Sequence, residues 1–300
     1  MVKKSSITLT ISIMSVSLAA ILIRSCSEET PAITIAFYRM LFTTLIIFFL
    51  VALNKDYQKE IISLTKKQLA IMSIIGLILA IHFILWITSL DLTSVASSVL
   101  LVTAHPILVG PISHFFLKEK LSYINIFGIL ISFSGVIVLV YGNSEVFSAT
   151  IDTLEGNIFA FLGGIAAGLY ILGGRHLRHQ ISVIPYVFIV YSISTIVLFI
   201  FSLILQTSVS IIATRDLGII LIMAIISGIL GHTLYNWSLE HVKASLASVA
   251  LLGEPIGSAF FAAVLPWIHE IPSSFTLLGG SIILIGIYLT ARNNKTVTPI

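Results

Sequence analysis

Two dipeptides place a titratable side chain directly before a proline in the middle of a long apolar run. They are His105-Pro106 and Glu254-Pro255. Proline has no N–H to donate and crowds the carbonyl four residues earlier, so each dipeptide predicts a break in a helix. An ionisable side chain at a helix break inside a membrane is costly, and such positions commonly serve a function. We therefore predict helix breaks at Pro106 and Pro255, with His105 and Glu254 in a functional site.

Further polar and aromatic residues recur at helical spacing in two other apolar runs. His82 and Trp86 are four residues apart and therefore share one helix face. Tyr235 stands 149 residues after Trp86, and His232 stands 149 residues after Phe83. These residues either line one polar-aromatic cavity or form hydrogen bonds between packed helices. The predicted substrate-binding set is His82, Trp86, His105, His232, Tyr235, Asn236 and Glu254.

Glu254 is the one acidic residue deep within an apolar run. Burial there favours the protonated carboxyl, and histidine titrates near neutral pH. Glu254 and His105 are therefore the predicted proton-coupling pair. The alternatives are a Glu254 that stays protonated and bonded to a carbonyl freed by proline, and a His105 that is only a hydrogen-bond donor.

Arg39 lies inside another apolar run and is a candidate anion clamp for a substrate carboxylate. Its alternatives are structural. The side chain could extend to the nearer membrane interface, or it could pair with Glu28 or Glu29.

The composition predicts an all-α integral membrane protein. Of the 300 residues, 57% are hydrophobic and 10% are charged, and the mean hydropathy is +1.10. About 20 apolar residues span a bilayer as a helix. The first run follows Lys3 and Lys4 as a signal peptide would, but no convincing cleavage site follows it, so we expect it to be retained. The ten predicted transmembrane helices are 5–23, 33–53, 69–90, 94–116, 121–141, 155–173, 183–205, 216–238, 244–265 and 274–291.

The distribution of Lys and Arg predicts the orientation. If the N-terminus is cytoplasmic, the cytoplasmic segments carry 13 of these residues and the external loops carry 2. The positive-inside rule then predicts a multi-pass protein of the cell membrane with both termini in the cytoplasm. The basic loops, Arg175 and Arg178 included, are interpreted as topology signals without a partner, and His176 and His179 as solvated. Glu119 is interpreted as favourable helix-start electrostatics.

The chain contains an internal repeat. Residues 90–106 align with 239–255, and after a two-residue insertion Gly128 aligns with Gly279 and Gly135 with Gly286. The two halves are 1–142 and 150–292, with five spans each, followed by a cytoplasmic tail at 293–300. Five is odd, so the second half enters the membrane from the opposite side. This predicts two inverted five-helix repeats with a substrate site between them, and the alternative is a duplication retained only for packing.

The repeat, the Phe37-Tyr38-Arg39 stretch and the segment at 118–122 before Gly128 and Gly135 together resemble the EamA-type branch of the drug/metabolite transporter superfamily. That resemblance covers nearly the whole chain and implies an inverted five-plus-five bundle, a central cavity and alternating access. Members of the family are mostly exporters of metabolites, amino acids or drugs. Ser192 aligns roughly with Arg39, so any role of Arg39 is confined to one half.

We therefore predict a secondary transporter, and specifically an exporter of small organic metabolites such as amino acids, amines or drug-like compounds, with proton coupling as a hypothesis. A nucleotide-sugar or sugar-phosphate exchanger is the alternative within transport, but it would need several cavity cations. A membrane enzyme acting on lipid is the alternative from another class, and it would need a polar set near one interface.

We expect no catalytic residues, metal or cofactor, and no nucleic-acid partner. The expected partners are the substrate and the lipid bilayer, and the chain is predicted to be a monomer or homodimer. The single cysteine, Cys26, excludes an intramolecular disulfide.

Overall fold

A computed structural model describes residues 2–27, 29–93, 98, 101–142, 154–207, 212–265 and 273–292. These residues form helices joined by short turns, with no strand among them. The helices are α1 Val2–Arg24, α2 Ala32–Leu53, α3 Lys55–Ser63, α4 Lys66–Leu92, α5 His105–Phe116, α6 Tyr123–Gly142, α7 Leu154–Leu177, α8 Val183–Ile204, α9 Thr214–Met223, a π-helical segment Ala224–Thr233, α10 Leu234–Ser238, α11 Ala244–Leu251, α12 Glu254–Val264 and α13 Ser274–Arg292.

Eight stretches of the described residues are helical, long and apolar enough to cross a membrane. They match eight of the ten predicted spans. A shorter apolar helix at Tyr123–Leu139 corresponds to the predicted span 121–141. The predicted span 94–116 lies partly outside the described residues. Large apolar side chains stand exposed on the outer faces, for example Phe49 at 61% and Leu203 at 53%, as expected for helices that contact lipid. An all-helical membrane fold is therefore confirmed, while the number ten stays a prediction.

Both predicted helix breaks are present. α11 ends at Leu251 and α12 begins at Glu254, with a turn between them. Residues 103 and 104 form the corresponding turn, and α5 begins at His105. In both cases proline occupies the first turn of the new helix, where its missing N–H removes no hydrogen bond. Gly164 of α7 packs on the first break so closely that a Cβ would lie 2.8 Å from the Val102 carbonyl oxygen.

α2 and α8 pack side by side in opposite directions. The ring centroids of Phe37 and Phe199 are 5.3 Å apart, and those of Phe48 and Phe188 are 6.2 Å apart. Residue numbers therefore rise along α2 as they fall along α8. The two helices belong to different predicted halves, so the core between them is shared by the halves.

α6 and α13 also run antiparallel, with their backbones in close contact. A Cβ on Gly128 would lie 2.8 Å from the Gly286 carbonyl oxygen, and a Cβ on Gly135 would lie 2.8 Å from that of Gly279. Any larger side chain at these positions would force the backbones apart. Near one end of the pair, the Asn125 side-chain amide donates to the Thr290 carbonyl across 2.8 Å.

Contacts between loops fall at two opposite ends of the bundle. At the first, Glu60 accepts hydrogen bonds from Ser182, and Lys243 donates to the Lys120 carbonyl across 2.9 Å. All these segments belong to the set that the basic residues predict to be cytoplasmic. At the second, the Asp216 carboxylate accepts hydrogen bonds from the Ser27 amide and the Thr30 hydroxyl, at 3.1 and 2.8 Å. These segments belong to the set predicted to be external.

Candidate functional site

Helices from both predicted halves surround a small central cavity. Arg39 of α2, Phe83 of α4, Tyr191 of α8 and His232 of the π-helical segment form its polar and aromatic walls. Its volume is about 10 Å³, which is roughly the space of one water molecule. A metabolite could occupy this centre only after the helices separate. The full lining is Arg39, Met40, Thr43, Leu79, Phe83, Tyr191, Gly228 and His232.

The π-helical segment explains how one wall of this cavity is built. A π-helix widens the backbone and is frequently found at functional sites. Gly228 lies directly against Thr43 of α2, leaving no room for a Cβ. The Thr43 hydroxyl in turn donates to the Arg39 carbonyl across 2.7 Å. The segment therefore brings His232 close to α2, which no periodicity in the sequence signals.

Arg39 is buried, with 6% of its surface exposed, so it does not extend to a membrane interface. Its guanidinium lies 5.7 Å from the ring centroid of Phe83, in a cation–π arrangement. Its Nε has no hydrogen-bond partner among the described residues. Glu254 is near enough for the two charges to interact, although the described residues contain no direct ion pair between them. Arg39 thus remains a cation with unused donor capacity beside the cavity.

Glu254 begins α12 and is half-buried. Its carboxylate makes no hydrogen bond to any of the described residues. His105, by contrast, is buried and has a partner, since its Nδ1 lies 2.7 Å from the Ser248 hydroxyl oxygen. Ser248 belongs to α11, the helix immediately before the second break. The structure therefore joins the two breaks by a His105–Ser248 hydrogen bond, and it does not pair His105 with Glu254.

His82 and Trp86 share a helix face as predicted. Their rings are stacked at 9° with centroids 6.2 Å apart. The His82 Nδ1 lies 2.9 Å from the Gly163 carbonyl oxygen of α7, so His82 also joins two helices. The Trp86 Nε1 is buried and has no partner within the described part of the chain. The same holds for the hydroxyl of Tyr235, which is 2% exposed.

The Asn236 side chain contacts the hydroxyls of Tyr170 and Tyr191, which the sequence did not identify as site residues. Its Nδ2 donates to the Tyr170 hydroxyl at 2.6 Å and lies 3.3 Å from the Tyr191 hydroxyl. It also lies 2.8 Å from the His232 carbonyl oxygen. The available signal was two tyrosines inside apolar spans, because a buried tyrosine hydroxyl usually needs a partner. Asn236 therefore contacts both Tyr191, which lines the cavity, and Tyr170, which packs beside it.

The predicted cavity residues form one electrostatic neighbourhood. Arg39 lies within charge range of both His82 and His232, and His82 lies within range of His105. Tyr235 belongs to the same core, but its hydroxyl has no hydrogen-bond partner among the described residues. The structure thus places Arg39 and His232 in the lining of the cavity, with His82 and Glu254 within charge range of Arg39 and His105 within charge range of His82.

A buried ion pair lies at the end of the bundle where the segments predicted to be cytoplasmic meet. Arg175 Nε lies 2.6 Å from a Glu119 carboxylate oxygen, and both side chains are buried. The other Glu119 oxygen accepts from the Ala244 amide at 2.8 Å. Arg175 also donates to the Leu239 and Glu240 carbonyls at 2.6 and 2.9 Å. Glu119 does stand at a helix start, but the helix is α11, which begins at Ala244, and not α6, which begins at Tyr123; its main partner is Arg175.

Arg178 makes a second ion pair next to the first, 2.7 Å from Glu240. Its Nε donates to the Asn236 carbonyl at 3.0 Å, and it also donates to the Ile181 carbonyl. Burial lowers the pKa of Arg178, and the Glu240 carboxylate opposes that shift. Arg175 and Arg178 are therefore not partnerless, because packing of three chain segments encloses them, while their role as topology signals stays a prediction. His176 and His179 are exposed.

Comparison with known proteins finds relatives that are described as transporters or exporters. The chain is 29% identical over 213 residues to an uncharacterized transporter of Archaeoglobus fulgidus, covering 70% of this chain and 72% of that one. It is 24% identical over 210 residues to the uncharacterized transporter YyaM of Bacillus subtilis, covering 69% and 67%. It is 22% identical over 280 residues to the pseudopaline exporter CntI of Pseudomonas aeruginosa, covering 91% of each chain.

A solved structure described only as a crystal structure of a protein has the same fold. The TM-score is 0.79 at 14% identity, over 98% of this chain and 99% of that one. The model of the EamA-like transporter family matches residues 3–141 and again residues 154–292, which is most of the chain. This protein therefore belongs to the EamA-like transporter family.

Proposed function

We propose that the protein is a secondary transporter that exports small organic metabolites by alternating access. The observation that carries the proposal is a polar centre, built by both halves of the chain, that is occluded and keeps unused hydrogen-bonding groups. A packed core has no need of an arginine with a free donor, and burying one is costly. A transport site needs such groups, because they bind the substrate when the centre opens.

The packing of the helices supports two inverted repeats. Under the proposed halves, α2 and α8 are equivalent helices that pack antiparallel on each other, and so are α6 and α13. The repeat aligns Gly128 with Gly279 and Gly135 with Gly286. The contacts join Gly128 to Gly286 and Gly135 to Gly279, so each contact is converted into the other when the halves are exchanged. That reciprocity is what a two-fold axis in the membrane plane produces.

The same exchange relates the remaining contacts between the halves. α1 packs on the π-helical segment and α12, while α7 packs on α4 and α5. Each first helix thus crosses over to the third and fourth helices of the other half. Rocking one half against the other would change the exposure of the centre to the two sides of the membrane, as alternating access requires.

The charges of the site favour a substrate that carries a carboxylate and an amine. Arg39 is the cation of the central cavity, and the Glu254 carboxylate has no hydrogen-bond partner in the described chain. A zwitterionic metabolite would satisfy both groups, with Trp86 Nε1 and the Tyr235 hydroxyl as further polar contacts. The relative that exports pseudopaline is compatible with export as the direction.

The two alternatives are less well supported. A nucleotide-sugar or sugar-phosphate carrier would need several cavity cations, but Arg175 and Arg178 are already engaged by Glu119, Glu240 and backbone carbonyls. A lipid-modifying enzyme would need its polar set near one interface. In the described chain the buried polar groups at one end are engaged with one another, and unpartnered groups of Arg39, Trp86 and Tyr235 lie in the core instead.

Flux measurements on proteoliposomes test this proposal. Vesicles are loaded in turn with amino acids, diamines, dicarboxylates and sugar phosphates, and efflux is followed with wild type, with Arg39→Gln and with Lys59→Gln. Lys59 is an exposed residue of α3 and is the matched control for loss of one positive charge. We expect efflux of one amine- and carboxylate-bearing class, its loss in Arg39→Gln and wild-type efflux in Lys59→Gln. Exchange of sugar phosphates alone would contradict the proposed substrate class.

A further inference from the structure

A second cavity, on the outside of the bundle, is larger than the central one. It has a volume of about 340 Å³ and lies between α5 and α6. Most of its lining is apolar, and several of these side chains are open to the surroundings, with Ile107 at 44%, Leu130 at 54% and Phe115 at 74% exposed. The lining residues are Pro106, Ile107, Pro111, His114, Phe115, Leu121, Ile126, Ile129 and Leu130. We call this cavity the lateral groove.

One end of the lateral groove is bounded by the loop from Leu117 to Ser122. His114 lines the groove, and its Nδ1 lies 3.2 Å from both the Leu121 amide nitrogen and the Glu119 carbonyl oxygen. The loop is therefore held against the groove. Tyr123, which follows the loop, is 91% exposed, as is common for tyrosine at the level of lipid headgroups.

This loop presents only positive charge to the outside. Lys118 and Lys120 are exposed. Lys243 reaches the loop from the other half and donates to the Lys120 carbonyl. Glu119, the one acidic residue of the segment at 117–122, is turned inward, where Arg175 and the Ala244 amide engage both of its oxygens. The negative charge that would neutralise the lysines is therefore buried on the opposite side of the loop.

We propose that the lateral groove is a binding site for an anionic phospholipid. One acyl chain would lie along the apolar walls between α5 and α6, and the phosphate would lie beside Lys118 and Lys120. The proposed orientation puts these lysines at the cytoplasmic leaflet, where anionic lipids are attracted to basic side chains. The groove begins at Pro106, next to the His105 break, so the bound lipid would contact the helix whose position depends on that break.

Lipid retention measured by native mass spectrometry tests the headgroup preference. The purified protein is released from nanodiscs of phosphatidylcholine containing phosphatidylglycerol, and the bound lipids are counted. We expect phosphatidylglycerol to be retained over phosphatidylcholine by wild type, and this preference to fall about tenfold in the double variant Lys118→Gln/Lys120→Gln. The matched control is Lys66→Gln/Lys67→Gln, which removes the same charge from an exposed site at the start of α4. An equal loss in both double variants, or no preference in wild type, would overturn the proposal.

A second pair of variants tests the groove itself. Leu130→Trp fills the groove from α6 and should reduce retention of both lipids. Phe127→Trp changes a 60% exposed residue of the same helix that does not line the groove, and it should have no effect. Wild-type retention in Leu130→Trp would place the lipid elsewhere. Because no transport is measured, failure of this proposal is separable from failure of the proposed function.

Discussion

Arg178 donates a hydrogen bond from Nε to the carbonyl oxygen of Asn236 across 3.0 Å. The side chain of Asn236 in turn lies 3.3 Å from the hydroxyl of Tyr191, which lines the central cavity. One residue thus contacts the ion pairs that close the bundle and also the wall of the candidate substrate site. Asn236 therefore forms a direct physical link between the two places.

The Glu119–Arg175 pair should make a large contribution to the stability of the folded protein. Glu119→Gln leaves Arg175 buried without a counter-charge, and we expect a loss of roughly 3 kcal/mol. The measurement is thermal unfolding in detergent. Asp56→Asn is the control, because its partner Lys59 is 3.9 Å away and both side chains are largely exposed, so a change below about 0.5 kcal/mol is expected. Equal effects of the two substitutions would show that burial of the pair does not matter.

The unpartnered groups of Trp86 and Tyr235 should contribute to substrate affinity without contributing to stability. Tyr235→Phe removes only a hydroxyl that has no partner in the described structure, so the unfolding temperature should stay the same or rise. If the substrate uses that hydroxyl, its affinity should fall about fivefold, which corresponds to roughly 1 kcal/mol. Trp86→Phe should behave similarly. For Tyr235→Phe, binding is measured by substrate-induced quenching of tryptophan fluorescence, and for both variants affinity is also measured by counterflow. Unchanged affinity would show that these side chains serve only in packing.

Proton coupling through Glu254 predicts a specific loss in Glu254→Gln. The carboxylate has no hydrogen-bond partner in the described chain and lies within charge range of Arg39, so its protonation can respond to movement of the helices. We expect proton-driven flux between pH 5 and about 8 to lose most of its pH dependence in the variant, while counterflow of a neutral substrate remains. Ser248→Ala is the companion, because it removes the partner of His105 and leaves Glu254 intact. Unchanged proton-driven flux in Glu254→Gln would remove Glu254 from the coupling mechanism.

Cys26 should react slowly with alkylating reagents. Partial burial, and to a lesser extent the Asp216 carboxylate, raise the pKa of its thiol to about 11, while Arg215 acts in the opposite direction. Only the thiolate reacts, so at pH 8 roughly one thiol in a thousand is reactive, and the rate should rise about tenfold per pH unit up to pH 10. Asp216→Asn should accelerate maleimide labelling at pH 8, and Arg215→Gln should slow it. A rate that reaches a plateau near pH 9 would contradict the raised pKa.

Local chemistry was sufficient to predict the helix breaks and eight of the ten spans. Proline cannot donate a backbone hydrogen bond wherever it stands, so Pro106 and Pro255 specified the breaks before any neighbour was known. The apolar runs specified membrane helices for the same reason, since the bilayer acts on each segment separately. The shared face of His82 and Trp86 also follows from helical spacing alone.

Partners across the bundle were decided only by tertiary packing. The repeat aligns His105 with Glu254, but the partner of His105 in the folded chain is Ser248, six residues before Glu254. The folded chain also brings Gly128 to Gly286 although the repeat aligns it with Gly279. The sequence predicts Arg175 to be a topology signal without a partner, because a count of charges contains no information about which segments fold over it. Its burial against Glu119 depends on three segments that are far apart in the chain, and only the folded structure brings them together.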